Sequence, residues 1–303
     1  MTVILARGAG KLYAGGRDVR PGEGRRLPLE HAPVACHGAV MDAQRPRRVD
    51  IRPFPAERRL VAAAMRAGRR RVPMYGLMEV DVTRARQILA GQVPPWSLTA
   101  FVVASVARAA AAHPEVHAYR NWRGQLVRHS HVDVTTMVEI PSPHGGFGLP
   151  HVLRDADVRA VGDLTAELRA VKRDPSASSS GRWFERATPA VTRLPGAVRA
   201  AYAVMARSVA VRQRVGTVAV TAVGMFAGGG GFGITPMTIF SLEVVVGGMA
   251  ARPRVVGGQL EIRDVLDLTV LVDHNVVDGA PATRFGAELR DLMESAAVLT
   301  PSV

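Results

Sequence analysis

Apolar residues along the chain recur at helix-like and strand-like spacings from about residue 56 onward. Leu60 and Ala67 fall on one face of a helix, which predicts a helix over residues 56–70. The pattern then predicts a strand over residues 74–82 and a helix over residues 83–90. A longer apolar helix follows over residues 98–112, and Ser97 is its predicted N-cap.

The rest of the chain mixes strand periods with helix periods. Asp163 is the predicted N-cap of one helix, and a short helix is expected near Trp183. Because strands and helices do not alternate strictly, the order favours an α/β fold with a mixed sheet and helices packed on it. The predicted strands cover residues 125–140, 147–153, 217–223, 240–246 and 266–272, and the predicted helices cover residues 163–173, 197–212 and 280–294.

The first 50 residues differ from the rest. They are rich in Gly, Pro and Arg and hold no sustained period of either kind. We therefore expect a basic N-terminal arm over residues 1–50 and a single catalytic domain over residues 51–303. Cys36 is the only cysteine, which excludes an internal disulfide and a cysteine-rich metal site.

The formal net charge is +13, and nearly all of the positive charge comes from arginine. A basic surface can attract nucleic acid, a membrane or an anionic cofactor such as coenzyme A. Aromatic residues do not alternate with the arginines, so we expect no nucleic acid partner and a solvated surface for most of the arginine clusters, of which residues 69–71 are one. No apolar run is long enough for a membrane span or a signal peptide, which predicts a soluble, cytoplasmic protein without a membrane partner.

The segment 266–284 carries the best candidate chemistry. It predicts a buried strand, a turn with His274, then Asp278 and Gly279, then a helix. A histidine held at a strand end titrates near neutral pH and can remove a proton from a thiol or hydroxyl. Gly279 is expected to allow a backbone conformation that a side chain forbids. Spacing alone favours a surface histidine in a loop over a catalytic one.

The full string DHNVVDGAPATRF at residues 273–285 resembles the signature of the dihydrolipoyl acyltransferase catalytic domain of 2-oxoacid dehydrogenase complexes. That family is related to chloramphenicol acetyltransferase and shares the pattern His-x-x-x-Asp-Gly. Four further segments resemble the family in the same order, so the likeness runs from about residue 54 to 298. These are RRLVAAAM at 58–65, HPEV at 113–116, GLPHVLRDAD at 148–157 and GTVAVTAVGMF at 216–226.

The resemblance implies a chloramphenicol acetyltransferase-like two-layer α/β sandwich and a role for each matched residue. His274 would be the general base that deprotonates the acceptor. Thr221 stands where the family usually has serine, and its hydroxyl would stabilise the tetrahedral oxyanion, although an ordinary strand threonine explains it equally well. Asp278 would be structural and would pair with Arg58.

The resemblance also implies the cofactor and the assembly. A coenzyme A thioester, acetyl-CoA in the simplest case, would donate the acyl group directly, without a covalent acyl-enzyme and without a metal. The family forms trimers with the active site between subunits, so His274 and Thr221 would come from different chains of a homotrimer.

Three departures from the family pattern affect the predicted substrate. No lipoyl domain is evident, the connection over residues 174–214 is longer than usual, and Asn275 and Ala222 replace residues that are commonly arginine and polar, respectively. These features favour a stand-alone enzyme that acetylates the hydroxyl of a small molecule, such as a tetronate-type natural product. The alternatives are an acyltransferase core that uses lipoyl groups supplied by another chain, and a non-catalytic scaffold.

Two other features have weaker interpretations. His129 and His131 share one face of the predicted strand, but no third ligand is near, so paired surface histidines are favoured over a metal site. The glycines at 228–231 lack the Lys and Ser/Thr of a phosphate loop, and a lid or turn at the cleft is favoured.

Overall fold

The computed structural model describes residues 49–51, 54, 56–140, 147–178, 182, 196–223 and 229–300. The short helix predicted near Trp183 and the arm up to residue 48 lie outside these residues, and the domain boundary at residue 51 stays a prediction. The helices are α1 (Ala56–Gly68), α2 (Thr83–Ala90), α3 (Leu98–Ala112), α4 (Val161–Arg173), α5 (Ala197–Arg207), α6 (Val209–Val215) and α7 (Gly279–Glu294), with 3-10 turns at Pro175–Ala177 and Ala297–Leu299. The strands are β1 (Pro73–Asp81), β2 (Tyr119–Arg120), β3 (Leu126–Val127), β4 (Val134–Ile140), β5 (Phe147–Leu153), β6 (Val218–Ala222), β7 (Leu242–Val256) and β8 (Gln259–Asp273).

Helix α3 shows how directly local sequence fixes an element. Its predicted bounds are confirmed, and the Ser97 hydroxyl accepts a hydrogen bond from the backbone N–H of Ala100 at 3.4 Å. The predicted cap of α4 is wrong, because the helix begins at Val161 and Asp163 lies inside the first turn, where its charge favours the helix dipole. None of the helices that the structure describes has the length and apolar character needed to cross a membrane.

Six strands form one mixed sheet in the order β1-β8-β7-β6-β4-β5. The neighbours β4 and β6, and β6 and β7, run parallel, and the other neighbouring pairs run antiparallel. Alternate residues of each strand join one apolar core with the helices on one face of the sheet, for example Leu268 and Val270 of β8 with Phe285 and Leu289 of α7. The molecule therefore has two layers, as predicted.

The other face of the sheet is covered along its centre by the segment 229–241. Met237 of this segment forms a small buried cluster with Val245 of β7 and Leu271 of β8. The Tyr75 hydroxyl reaches the carbonyl of Thr235 at 3.5 Å, which ties the segment to the edge strand β1. No helix in the described part of the chain contributes to this cluster.

Strands β7 and β8 are longer than the sequence pattern predicts. Each spans 15 residues, and together they form a hairpin that projects beyond the rest of the sheet. The predicted strand ends at Val246, directly before Gly247 and Gly248, and the pairing register shifts there. A Cβ at Gly248 would lie 2.2 Å from the carbonyl oxygen of Gly229, so glycine is required by the close approach of the segment 229–241.

The predicted strand over residues 125–140 is wrong in its first half. Residues 128–133 do not pair as a strand, while β3 pairs with β2 in a separate small ribbon. Backbone groups here bond to side chains instead, since the N–H of Val132 donates to Asp157 at 3.2 Å. The predicted basic helix over residues 197–212 is likewise two helices, α5 and α6, separated at Ser208, whose backbone is extended.

Candidate active site

His274 lies in a tight turn between β8 and α7, as the sequence predicts. Its backbone N–H donates to the carbonyl of Val72 at 2.8 Å, and the N–H groups of Val276 and Val277 donate to the carbonyl of Asp273. Val277 is buried in the core and anchors the end of the turn. The His274 side chain remains 47% exposed, so its imidazole is held at the sheet end and is partly open to solvent.

The carboxylate of Asp278 lies close to this imidazole. Its Oδ1 lies 3.8 Å from His274 Nδ1, which is too long for a hydrogen bond, and the Asp278 side chain is 90% exposed. Arg58 lies exposed on α1, and no contact between it and Asp278 appears among the described ion pairs. The structural pair of Asp278 with Arg58 therefore stays a prediction.

Gly279 begins α7 directly after Asp278. Its backbone is not left-handed, and a Cβ built on it meets no atom within 4 Å. The conformational reason expected for this glycine is therefore absent, and its contribution to the site stays a prediction.

A buried ion pair next to the histidine was missed in the sequence. Arg71 Nη1 lies 2.6 Å from Asp273 Oδ2, and both side chains are largely buried. The other oxygen of Asp273 accepts from the backbone N–H of Val72 at 3.2 Å and from Asn275 Nδ2 at 2.8 Å. Both carboxylate oxygens are thus used, and the residue that precedes His274 is fixed on two sides.

The guanidinium of Arg71 also binds the segment that leads into β7. Its Nε donates to the carbonyl of Thr238 at 3.1 Å, its Nη1 donates to the Ser241 hydroxyl at 3.2 Å, and its Nη2 donates to the carbonyl of Ile239. The carbonyl of Ser241 in turn accepts from the N–H of Asp273 at 2.9 Å. One arginine therefore joins the start of β1, the start of β7 and the end of β8, and we call this the histidine end of the sheet.

A second buried polar cluster adjoins that end. Arg212 of α6 is fully buried, with its guanidinium 4.5 Å from the ring of Phe240 and 5.1 Å from the ring of Tyr119. Burial, with a smaller contribution from Arg71, lowers the pKa of Arg212 to about 9. Burial likewise lowers the pKa of His117 to about 4, and the charges of His129 and Arg212 add to the shift.

The rings of His129 and His131 are paired as predicted, 5.2 Å apart, and His131 is partly exposed, but His129 differs from the prediction. His129 is buried rather than at the surface, and it stacks on Tyr119 with ring centroids 5.7 Å apart. Burial lowers the pKa of His129. No group of three His, Cys, Asp or Glu side chains that could hold a metal ion occurs in the described part of the chain.

A cavity of about 290 Å³ opens beside His129. It is lined by Ala111, Pro114, Arg128, His129, Ser130 and Val132.

Thr221 lies on β6, on the sheet face opposite the helices. It is in register with Val245 and, through it, with Thr269 of β8. His274 is therefore five residues further along the sheet and two strands away. At about 3.3 Å per residue and about 4.8 Å per strand, the two backbones are roughly 19 Å apart. One chain does not bring this hydroxyl to this imidazole.

Known structures share this fold. A structure of Azotobacter vinelandii dihydrolipoamide acetyltransferase matches with a TM-score of 0.64 at 18% identity, over 84% of this chain and 95% of that chain. The cubic core of the pyruvate dehydrogenase multienzyme complex matches with a TM-score of 0.60 at 19% identity, over 84% and 95% of the two chains. The predicted fold class is confirmed, and the molecule has the fold of an acyltransferase catalytic core.

The sequence comparisons find similarity to one acyltransferase family. The model of the 2-oxoacid dehydrogenases acyltransferase catalytic domain matches residues 207–300, which include the whole strand, turn and helix around His274. A relative in Pseudomonas aeruginosa PAO1, the lipoamide acyltransferase component of branched-chain alpha-keto acid dehydrogenase complex, is 27% identical over 257 residues, covering 80% of this chain and 51% of the relative. Over residues 207–300 the chain resembles the catalytic domain of this acyltransferase family. It spans about half the length of the curated relatives that it matches.

Proposed function

We propose that this protein transfers an acyl group between coenzyme A and an acceptor, with His274 as the general base. The observation that carries the proposal is a half-exposed imidazole fixed at a strand end within the sequence His-x-x-x-Asp-Gly. The imidazole takes the proton of the acceptor O–H or S–H while the acceptor attacks the thioester carbonyl. The C–S bond then breaks, and the proton passes from the imidazolium to the coenzyme A thiolate.

A relative supports the assignment of the base. The Azotobacter vinelandii structure concerns the roles of a serine, a histidine and an asparagine in the catalytic mechanism, and the asparagine lies four residues after the histidine. Asp278 has the same spacing from His274 in this chain. A carboxylate with 90% exposure and a 3.8 Å separation suits an orienting role better than a proton-transfer role.

The second half of the site is proposed to come from a neighbouring chain in a homotrimer. Thr221 lies roughly 19 Å from His274 within one chain by strand geometry, so an oxyanion donor at Thr221 needs a second copy. In that assembly the Thr221 hydroxyl donates to the oxyanion formed beside the partner's imidazole. The matched structure of a cubic core is an assembly of related chains and is consistent with this arrangement.

The acceptor defines two versions of this function. The departures at Asn275 and Ala222 favour a small-molecule hydroxyl, for which acetyl transfer to a tetronate-type compound is the proposed case. The names of the curated relatives favour dihydrolipoamide, supplied by another chain or by a part of this protein beyond the sequence given. Both versions use the same base and the same thioester.

The test measures coenzyme A released from acetyl-CoA by chromatography, with dihydrolipoamide and a tetronate alcohol as separate acceptors. We expect turnover with one of them and a loss of at least about 10³-fold in His274→Ala, because the general base is removed. His113→Ala is the matched control, since His113 contacts only Glu115 among the described ion pairs, at 3.7 Å. A scaffold protein would show no turnover with either acceptor, and near-normal rates in His274→Ala would reject the mechanism.

Mixing of variants tests the shared site. Thr221→Val keeps the shape of threonine and removes the hydroxyl, and we expect it to lower kcat by roughly 10²-fold or more. If His274→Ala and Thr221→Val chains are unfolded and refolded together, about a quarter of the sites in a mixed trimer carry both intact residues and activity returns. Mixtures that stay as inactive as the separate variants would show that the site lies within one chain. Light scattering checks that the protein is a trimer.

A further inference from the structure

Arg212 is an unusual residue to find in the interior of this molecule. It is fully buried on the short helix α6, and only one of its three guanidinium nitrogens has a hydrogen-bond acceptor in the described part of the chain. The Nε and Nη2 groups are shielded from solvent and have no such acceptor. Burial of a charged group with unmet donors is costly, and an apolar residue of similar length would avoid that cost.

The one hydrogen bond that Arg212 makes is to the carbonyl of Ile239, at 2.9 Å. Arg71 donates to the same carbonyl through its Nη2. Two arginines, one from α6 and one from the start of β1, therefore hold a single carbonyl oxygen. We call Arg71, Arg212 and the Ile239 carbonyl the arginine clamp.

The clamp is connected directly to the turn that bears the catalytic base. Arg71 binds Asp273, the residue before His274, at 2.6 Å. The N–H of Asp273 donates to Ser241, two residues after the clamped carbonyl. A shift of the segment 238–241 would therefore move both partners that fix the backbone before His274.

The aromatic rings around Arg212 fix its direction. Phe240 lies 4.5 Å and Tyr119 lies 5.1 Å from the guanidinium carbon, so the charge is stabilised by two ring faces and its Nη1 is aimed at one carbonyl. Glu243 of β7 is also buried nearby. Its Oε1 accepts from the N–H of Thr238 at 2.6 Å, which joins the segment 238–241 to the start of β7. The segment is held by polar contacts at successive residues rather than by apolar packing alone.

We infer that Arg212 is a positioning residue for His274, acting through the Ile239 carbonyl, Arg71 and Asp273. The inference rests on the acyl transfer proposed above, in which His274 is the base. It explains why a group with unmet donors occupies the interior: the clamp fixes the imidazole relative to a thioester bound at a subunit boundary. A displacement of about 1 Å at a catalytic group can cost roughly 10²-fold in rate.

The decisive variant is Arg212→Met, which keeps the length of the side chain and removes the charge and the hydrogen bond. We expect kcat to fall roughly ten- to hundredfold while the KM for acetyl-CoA stays within about twofold, and we expect Tm to be unchanged or raised. A residue with a purely structural role would not lower kcat while leaving Tm unchanged or raising it. Arg212→Lys retains a charged donor and is expected to recover part of kcat.

Hydrogen–deuterium exchange gives a readout that does not depend on activity. In Arg212→Met we expect faster exchange in peptides that cover residues 238–241 and 273–277, and unchanged exchange in α3. Arg207→Met is the matched control. Arg207 belongs to the neighbouring helix α5 and is exposed, and its guanidinium carbon lies 5.4 Å from the centre of the Trp122 ring. It is expected to change neither measurement.

The outcomes separate this inference from the proposed function. A wild-type kcat in Arg212→Met, or a fall in Tm with exchange increased evenly throughout the chain, would make Arg212 a packing residue and overturn the inference. If the wild-type protein transfers no acyl group to either acceptor, the proposed function fails. Unchanged exchange at 238–241 and 273–277 in Arg212→Met would then reject the clamp independently.

Discussion

The two ends of the main sheet use the same ion pair in different surroundings. At the histidine end, Arg71 and Asp273 lie 2.6 Å apart with side-chain exposures of 12% and 5%. At the opposite end, where the β7–β8 hairpin projects, Arg86 and Asp264 also lie 2.6 Å apart, with exposures of 45% and 31%. The two distances are equal, but the side chains of the second pair are about four to six times more exposed.

The difference in burial indicates what each pair contributes. The hairpin end carries further exposed pairs, such as Arg254 with Glu79, beside exposed apolar residues such as Leu260 and Ile262. Exposed pairs of this kind add little stability and keep the surface solvated. The pair at the histidine end is desolvated and shares its hydrogen bonds with three chain segments, so it fixes geometry. The distance between the charged atoms therefore does not show what an ion pair contributes, whereas the exposure of its side chains does.

The largest expected effect comes from Arg71→Gln. It leaves the Asp273 carboxylate buried without its partner, which costs about 3–5 kcal/mol of unfolding free energy. Urea unfolding at a fixed protein concentration measures the loss, because an assembly would make stability depend on concentration. We also expect slower acyl transfer, since Asp273 directly precedes the proposed base.

Arg86→Gln is the matched control for that variant. It breaks an equally short pair at the hairpin end, and the expected loss is about 0.2–1 kcal/mol. Equal losses for Arg71→Gln and Arg86→Gln would abolish the distinction between the two ends. A larger loss for Arg86→Gln would reverse it.

The next effect depends on pH and concerns His117, which lies beside Arg212. Its pKa is about 4 in the folded protein and about 6.5 in an unfolded chain, because burial penalises the charged ring. Between these values the unfolded state binds the proton and the folded state does not, so stability falls as the pH drops from about 6.5 to 4. The expected loss over this window is about 3 kcal/mol.

Urea unfolding from pH 7 to pH 4.5 measures this slope. His117→Leu removes the titrating ring from a site where neither ring nitrogen has a hydrogen-bond partner in the described part of the chain. The slope assigned to this ring should disappear in that variant and remain in His113→Leu. An unchanged slope in His117→Leu would assign the acid sensitivity to other groups.

Local sequence determined most elements of this fold. Ser97 caps α3 as predicted, and the strand, turn and helix around His274 form as predicted, because short-range spacing and capping determine such elements. The β7–β8 hairpin was underestimated because Gly247 and Gly248 read locally as a break. These two glycines are needed because the backbone of residues 229–231, from another part of the sequence, passes close to them.

The site was only partly predictable for a related reason. His274 was proposed through its motif, but Arg71 stands in a run of three arginines that the sequence pattern does not tell apart, although it is the one of the three that is not exposed. Its position directly before β1 was the available signal. Arg212 gave none, because its burial depends on Phe240 and Tyr119, which lie far away in sequence. Long-range contacts of this kind cannot be deduced from the spacing of one segment.

The smallest expected effect is the response of the two ion pairs to salt. At about 1 M ionic strength the screening length falls to about 3 Å, so the exposed pair of Arg86 with Asp264 should lose most of its contribution, while the buried pair of Arg71 with Asp273 should keep its own. The loss caused by Arg86→Gln should therefore shrink by a few tenths of a kcal/mol between low and high salt. The loss caused by Arg71→Gln should stay the same. If both losses shrank together, solvent would reach Asp273, and the account of a desolvated histidine end that holds His274 in place would be wrong.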